Sequence, residues 1–252
     1  MRTTRISMGS EMLALLAAFV SCLSCHWHPF SADDVSHYVS VARESFSYEV
    51  NVAGQTRLRF EGIYGEVTVT GVDGQASVTI EGERRVESGS SSDAEAHLRE
   101  LEVRVDELGN EISVETIQPK DSHGRNYIVD YQISVPKDME VMLSHINGNI
   151  YMHDLSGSNS VDLVNGKIEG RLSLPPDGLI DISTVNGTLE LDIPKNTSAR
   201  VSASVVNGSI NMHNLSLHDS TSTQTSLRGT LGSGRGTIAL SAVNGTIDVK
   251  GY

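Results

Sequence analysis

The chain has 252 residues, 38% hydrophobic and 20% charged, enough apolar material for one or two folded domains. Its 19 Lys and Arg against 32 Asp and Glu give a net charge of −13, which argues against a nucleic-acid binder that needs clustered positive charge. With 4 Phe, 7 Tyr and 1 Trp, the interior must be built from Val, Ile, Leu and small residues; 23 Gly and 6 Pro suit strands and turns rather than disorder.

At the start of the chain, Arg2 and Arg5 precede the uncharged apolar stretch 12–20, which is long enough for the h-region of an export signal and too short to span a bilayer. Residues 1–21 are therefore expected to be a signal peptide, with Glu11 the one acidic blemish. Ala18-Phe19-Val20-Ser21-Cys22 resembles the lipobox of bacterial lipoproteins, which makes Cys22 the expected lipidation site and Cys25 the alternative. Lipidation would anchor the exported protein to a membrane of the cell envelope, and Leu23 after Cys22 resembles lipoproteins sent to an outer membrane, facing the periplasm or the surface. Removing residues 1–21 takes the net charge to −14. No other cysteine exists, so neither an intrachain disulfide nor a cysteine metal cluster is expected. Residues 22–42 have no clear period and read as a tether.

Residues 43–140 read as an N-terminal β part. Leu58, Phe60, Ile63, Val67 and Val69 alternate around Tyr64-Gly65. Ser92-Asp93-Ala94-Glu95 has the form of a capping box, and Ala96, Leu98 and Leu101 follow at helical spacing, predicting a short helix over 93–101. Strands resume at Val103 and Val105, turn at Gly109-Asn110 and return through Ile112 and Val114. The run Tyr127, Val129, Tyr131, Ile133, Val135 alternates up to Pro136.

Residues 141–252 are dominated by an internal repeat, apolar-Asn-Gly-any-apolar, with its Asn-Gly pairs at Asn147-Gly148, Asn165-Gly166, Asn186-Gly187, Asn207-Gly208 and Asn244-Gly245. A degenerate copy, Leu227-Arg228-Gly229-Thr230-Leu231, fills the longest gap, and Tyr64-Gly65 gives an earlier echo with Tyr in place of Asn. A period near 20 residues is the signature of a solenoid, whose units bury their apolar faces only by stacking. Four residues before Asn stand Leu143, Val161, Ile182, Ala203 and Leu240; three after stand Ile150, Ile168, Leu189, Ile210 and Ile247. This is period-two alternation, hence strands with one buried face. Asn-Gly also suits a two-residue hairpin. The apolar residue before each Asn favours a solenoid corner instead, where that residue can turn inward and successive Asn side chains can stack in a ladder.

These features resemble the bacterial family DUF4097, described as proposed adhesins built of β-strand repeats and related to autotransporter adhesin head domains. The features that match are Ile63 to Val69, the 93–101 helix, Tyr131 to Pro136, the Val-Asn-Gly units and Gly232 to Ile247. The resemblance implies an all-β, right-handed β-solenoid or β-helix-like fold with one short helix, an envelope location and no established catalytic residues.

Chemistry is sparse. Gly232-Ser233-Gly234-Arg235-Gly236 lacks the Lys-Ser/Thr of a phosphate-binding loop and leads into a strand pattern, so it reads as a turn. His153 and His213 are equivalent positions about three coils apart, roughly 14 Å at ~4.8 Å per strand, too far to share an ion. His145 falls on an inward position, while Asp181, Glu190, Asp192 and Asp248 fall on outward ones. No catalytic residue, metal site or cofactor is expected. The expected function is a non-enzymatic envelope scaffold that holds a protein or glycan partner by many shallow contacts. A structural or sensory component bound to a membrane protein, and an enzyme acting on acidic polysaccharides, are the alternatives.

Overall fold

A computed structural model describes residues 40–252. The expected signal peptide, Cys22, Cys25 and the tether up to residue 39 lie outside the described residues; the first strand begins at Ser40, inside the stretch expected as tether. The elements are β1 (Ser40–Asn51), β2 (Arg57–Tyr64), β3 (Val67–Val72), β4 (Ser77–Ser88), α1 (Ser91–Leu98), β5 (Glu102–Leu108), β6 (Glu111–Ile117) and β7 (Asn126–Pro136). They continue as β8 (Glu140–Asn147), β9 (Ile150–Leu155), β10 (Asn159–Leu172), β11 (Leu179–Ile193), β12 (Ala199–His213), β13 (His218–Ser222), β14 (Ser226–Leu231) and β15 (Gly236–Gly251).

The fold is β-solenoid-like: each coil has a first arm, a corner and a second arm, and the coils stack in parallel. β10, β11, β12 and β15 each run through the corner, while β8 with β9 and β2 with β3 break there. Parallel register joins Asn147, Asn165, Asn186, Asn244 and Asn207 in that spatial order, with Tyr64 opposite Asn147. None of the Asn-Gly pairs is a hairpin. Inward residues of the two arms meet in a continuous core of Val, Ile and Leu, in which Leu143, Val161, Ile182, Leu240, Ile150, Ile168, Leu189 and Ile247 are all buried. Burial of this branched apolar surface, at about 25 cal/mol per Å², drives the stacking that no coil could sustain alone.

Spatial order departs from chain order at both ends. β6 and β7 lie outside β2 and β3, pairing with them in parallel. At the other end β15 is inserted between β11 and β12. β15 buries Ile238, Leu240, Ala242, Ile247 and Val249 there, whereas β12, on the outer side, buries Val201, Ala203 and Val205 and leaves Ile210 and Met212 half-buried. The degenerate copy at Leu227–Leu231 is not a coil. It lies in β14, which runs antiparallel to Ala199–Ser204 of β12 and covers that arm, with β13 beyond it.

The N-terminal echo at Tyr64-Gly65 is a true coil, and the β5–β6 hairpin turns at Gly109 as its sequence suggests. The helix starts earlier than 93 and ends at Leu98, because Ser90, not Ser92, is its N-cap and accepts from the Asp93 amide. Asp93 is thereby placed to take two hydrogen bonds of 2.7 Å from Arg125, in the turn before β7, and one from Ser88. These contacts hold its carboxyl well below the usual carboxylate range, the Arg125 hydrogen bonds first among them.

Candidate binding surface

The corner positions all come together in one line. Asn165 Nδ2 donates to Asn147 Oδ1, Asn186 to Asn165 and Asn244 to Asn186, each at 2.8 Å; Asn207 donates to Asn244 at 2.9 Å. Gly166, Gly187, Gly245 and Gly208 stack beside the ladder on Gly148, and a Cβ on any of those four would lie 1.6–1.9 Å from the carbonyl oxygen of the neighbouring coil's glycine. Gly148, Gly166, Gly208 and Gly245 also hold φ between 139° and 155°. Close approach thus requires glycine at every corner, and backbone conformation requires it as well at those four, which explains why it follows every Asn.

The apolar residue before each Asn does not turn inward. His145, Leu163, Thr184, Val205 and Ala242, one position earlier, hold the inward sites, so alternation sends Ile146, Val164, Val185, Val243 and Val206 to the outer face. They form an aliphatic stripe along the corner, half-buried except at Val206, which is 63% exposed. His145 is an inward histidine, with Nε2 donating to the Gly65 carbonyl at 2.9 Å and burial pulling its pKa down.

Outward positions of the second arms make three rows. Two residues after Asn stand Asn149, Lys167, Thr188, Thr246 and Ser209; four after stand Tyr151, Glu169, Glu190, Asp248 and Asn211. Insertion of β15 puts Asp248 beside Glu190, a juxtaposition of residues far apart in sequence. Lys167 Nζ bridges Glu169 at 2.9 Å and Glu190 at 3.0 Å, and these carboxylates raise its pKa. Asn211 donates to Asp248 at 2.7 Å. The row six after Asn is His153, Arg171, Asp192, Lys250 and His213, and Arg171 sits 4.3 Å above the Tyr252 ring. The basic residues Arg171 and Lys250 were not singled out from the sequence, although extending the Asn-based alignment by one more outward step would have shown them. His153 and His213 are four strands apart, about 19 Å at the usual strand spacing, rather than the three expected without the inserted strand.

On the outer face of the first arms, Ser183 donates to Asp162, while burial and then the Asp162 charge raise the Asp181 pKa. Gly232-Ser233-Gly234 is a tight turn with φ of 54° and 71° at its glycines, leading into β15. Beside it a shallow cleft of about 470 Å³ is lined by the Pro175-Pro176 and Pro194–Ser198 loops and Arg235, whose guanidinium is paired with Asp177. Among the described residues there is no group of three or more His, Cys, Asp or Glu placed to hold a metal, and no helix long and apolar enough to cross a membrane.

A model of the Toastrack family DUF4097 matches residues 51–250. No curated protein is similar to the chain in sequence. Among solved structures, a proposed cell adhesion protein of Clostridium sporogenes is 14% identical, with 84% of this chain and 100% of that chain covered and a TM-score of 0.49. A proposed adhesin of Bacteroides fragilis is 8% identical, covering 85% of this chain and 100% of its own, with a TM-score of 0.27.

Proposed function

The chain belongs to the Toastrack family DUF4097, and from that premise we propose that it is a non-enzymatic scaffold of the cell envelope, binding a protein or glycan partner along the outward face of its second arms. The observation that carries this reading is the regular row Tyr151, Glu169, Glu190, Asp248 and Asn211, one side chain per coil, flanked by Lys167, Arg171 and Lys250. A regular row of acceptors and charges at about 4.8 Å steps, with cationic side chains beside it, suits repeated shallow contacts, each weak and cumulative along the stack.

Residues 1–21 would direct export and Cys22 would carry the lipid that holds the scaffold at the membrane. Intact mass of the exported protein tests this: a mature N-terminus at Cys22 with acyl mass supports anchoring, and an unmodified terminus elsewhere removes it. Binding is tested by titrating the exported protein against envelope polysaccharides and envelope protein extracts, with Glu169→Lys and Glu190→Lys together expected to weaken capture at least tenfold. Depolymerisation of an acidic glycan that is lost in Glu190→Gln would replace this reading with an enzymatic one.

A further inference from the structure

The two arms of the stack end differently at β12. Its first arm is covered, because Ala199–Ser204 pair with β14 and β13 lies beyond. Its second arm, from Asn207 to His213, is bonded to β15 on one side, and no strand lies on the other among the described residues.

The remaining free edges are guarded in the usual manner, by charged side chains that discourage strand addition. β1 carries Arg43, Glu44 and Glu49; β5 carries Glu102, Arg104, Asp106 and Glu107; β13 carries Asp219. The edge 207–213 reads Asn-Gly-Ser-Ile-Asn-Met-His, without Lys, Arg, Asp, Glu or Pro. It is also unfinished. Ile210 and Met212 are only half-buried, while their equivalents Ile150, Ile168, Leu189, Ile247, Met152, Leu191 and Val249 are at most 1% exposed. Asn207 ends the corner ladder, donating to Asn244 while no side chain donates to it.

We propose that this edge pairs with the same edge of a second copy of the chain, antiparallel, across a two-fold axis through Ile210. That register puts Asn207 opposite the partner's His213 and Ser209 opposite the partner's Asn211, all on the outer face. On the inner face it puts Gly208 opposite the partner's Met212 and Ile210 opposite the partner's Ile210. Polar residues meet polar ones and apolar meet apolar, the glycine leaves room for the methionine, and no like charges face each other in a chain of net charge −13. A foreign strand has no such built-in match. Head-to-tail addition of the β1 edge would instead set Arg43, Glu44 and Glu49 against an uncharged strand and would propagate into filaments rather than close. The two-fold arrangement makes one continuous second-arm sheet from two copies.

The test is sedimentation velocity of the exported full chain in mild detergent over about 1–500 µM. A concentration-dependent monomer–dimer equilibrium is expected. Ser209→Lys with Asn211→Lys places lysines face to face across the axis and should raise the dissociation constant at least tenfold, while circular dichroism shows the fold intact. Ser209→Glu with Asn211→Lys pairs opposite charges across the same axis and should restore or exceed the original affinity. A wild-type chain that stays monomeric throughout, forms open filaments, or dimerises equally well with both lysines present overturns the proposal.

Discussion

The coils before Pro136 and the coils after it share one inward–outward rhythm but fill it differently. Early coils are packed with large rings: Phe60 meets Tyr131 edge-on with centroids 4.8 Å apart, Phe46 lies 5.5 Å from Tyr131, and the Tyr131 hydroxyl bonds Thr116 at 2.7 Å. Later coils bury no Phe, Tyr or Trp and are filled mainly with Val, Ile and Leu, with Met or Ala at some layers. Their corners differ in parallel, with Tyr64-Gly65 at the start of the stack and an unbroken Asn-Gly ladder after it. Where every layer has the same neighbours above and below, one short motif can serve repeatedly. Where the stack must begin, beside a helix, the β5–β6 hairpin and the antiparallel strands β1, β4 and β7, each contact is made once and the sequence becomes individual.

That contrast can be broken from either side. The largest effect is expected for Gly187→Ala, whose added methyl would lie 1.6 Å from the Gly166 carbonyl oxygen, so whole coils must part; a loss of about 4 kcal/mol or more in urea denaturation is expected, or failure to fold. Gly74→Ala, in a turn with nothing within 4 Å, should cost only about 1–2 kcal/mol for its φ of 70°. Next comes Phe60→Ala, which opens a cavity in the aromatic end and should cost about 3–5 kcal/mol by the same measurement. Asn186→Ala interrupts the ladder in the middle, and loss of its two exposed hydrogen bonds should lower stability by about 1–2 kcal/mol while the coils remain stacked in far-ultraviolet circular dichroism.

The smallest effect is a pH dependence at the aromatic end. Because Arg125 and Ser88 hold the Asp93 carboxyl below its ordinary value, the pairing contributes fully above the ordinary carboxylate range and is lost as pH falls below it. Asp93→Asn should therefore flatten the acid limb of the stability curve below about pH 4 and leave the neutral limb parallel to wild type, as read by thermal melts across pH.

Repetition also decided what the sequence could reveal. The Asn-Gly corners, the ladder and the inward residues were legible because each position recurs, so that Leu143, Val161 and Ile182 vouch for one another. The place of β15 was not legible, since every Asn-Gly coil offers the same register to every other. For the same reason Leu227–Leu231 matched the repeat locally yet became an antiparallel cover. The row of valines before Asn misled because apolar character alone does not say which face of a strand a residue takes. The helix starts two residues earlier than expected because two serines, Ser90 and Ser92, compete as caps, and the ion pair with Arg125 that rewards the earlier one is remote in sequence.

The insertion of β15 between β11 and β12 has a bearing on how the molecule acquires its structure. β11 and β12 leave the ribosome before β15, and in the finished fold they never touch as neighbours; each must remain with an open side until the later strand arrives. Their direct pairing, Asn upon Asn, is the obvious wrong turn, because it offers the same ladder and the same glycine stack. Folding is therefore expected to be governed by a late, long-range step, slow by its contact order and sensitive to anything that lets the premature pair persist.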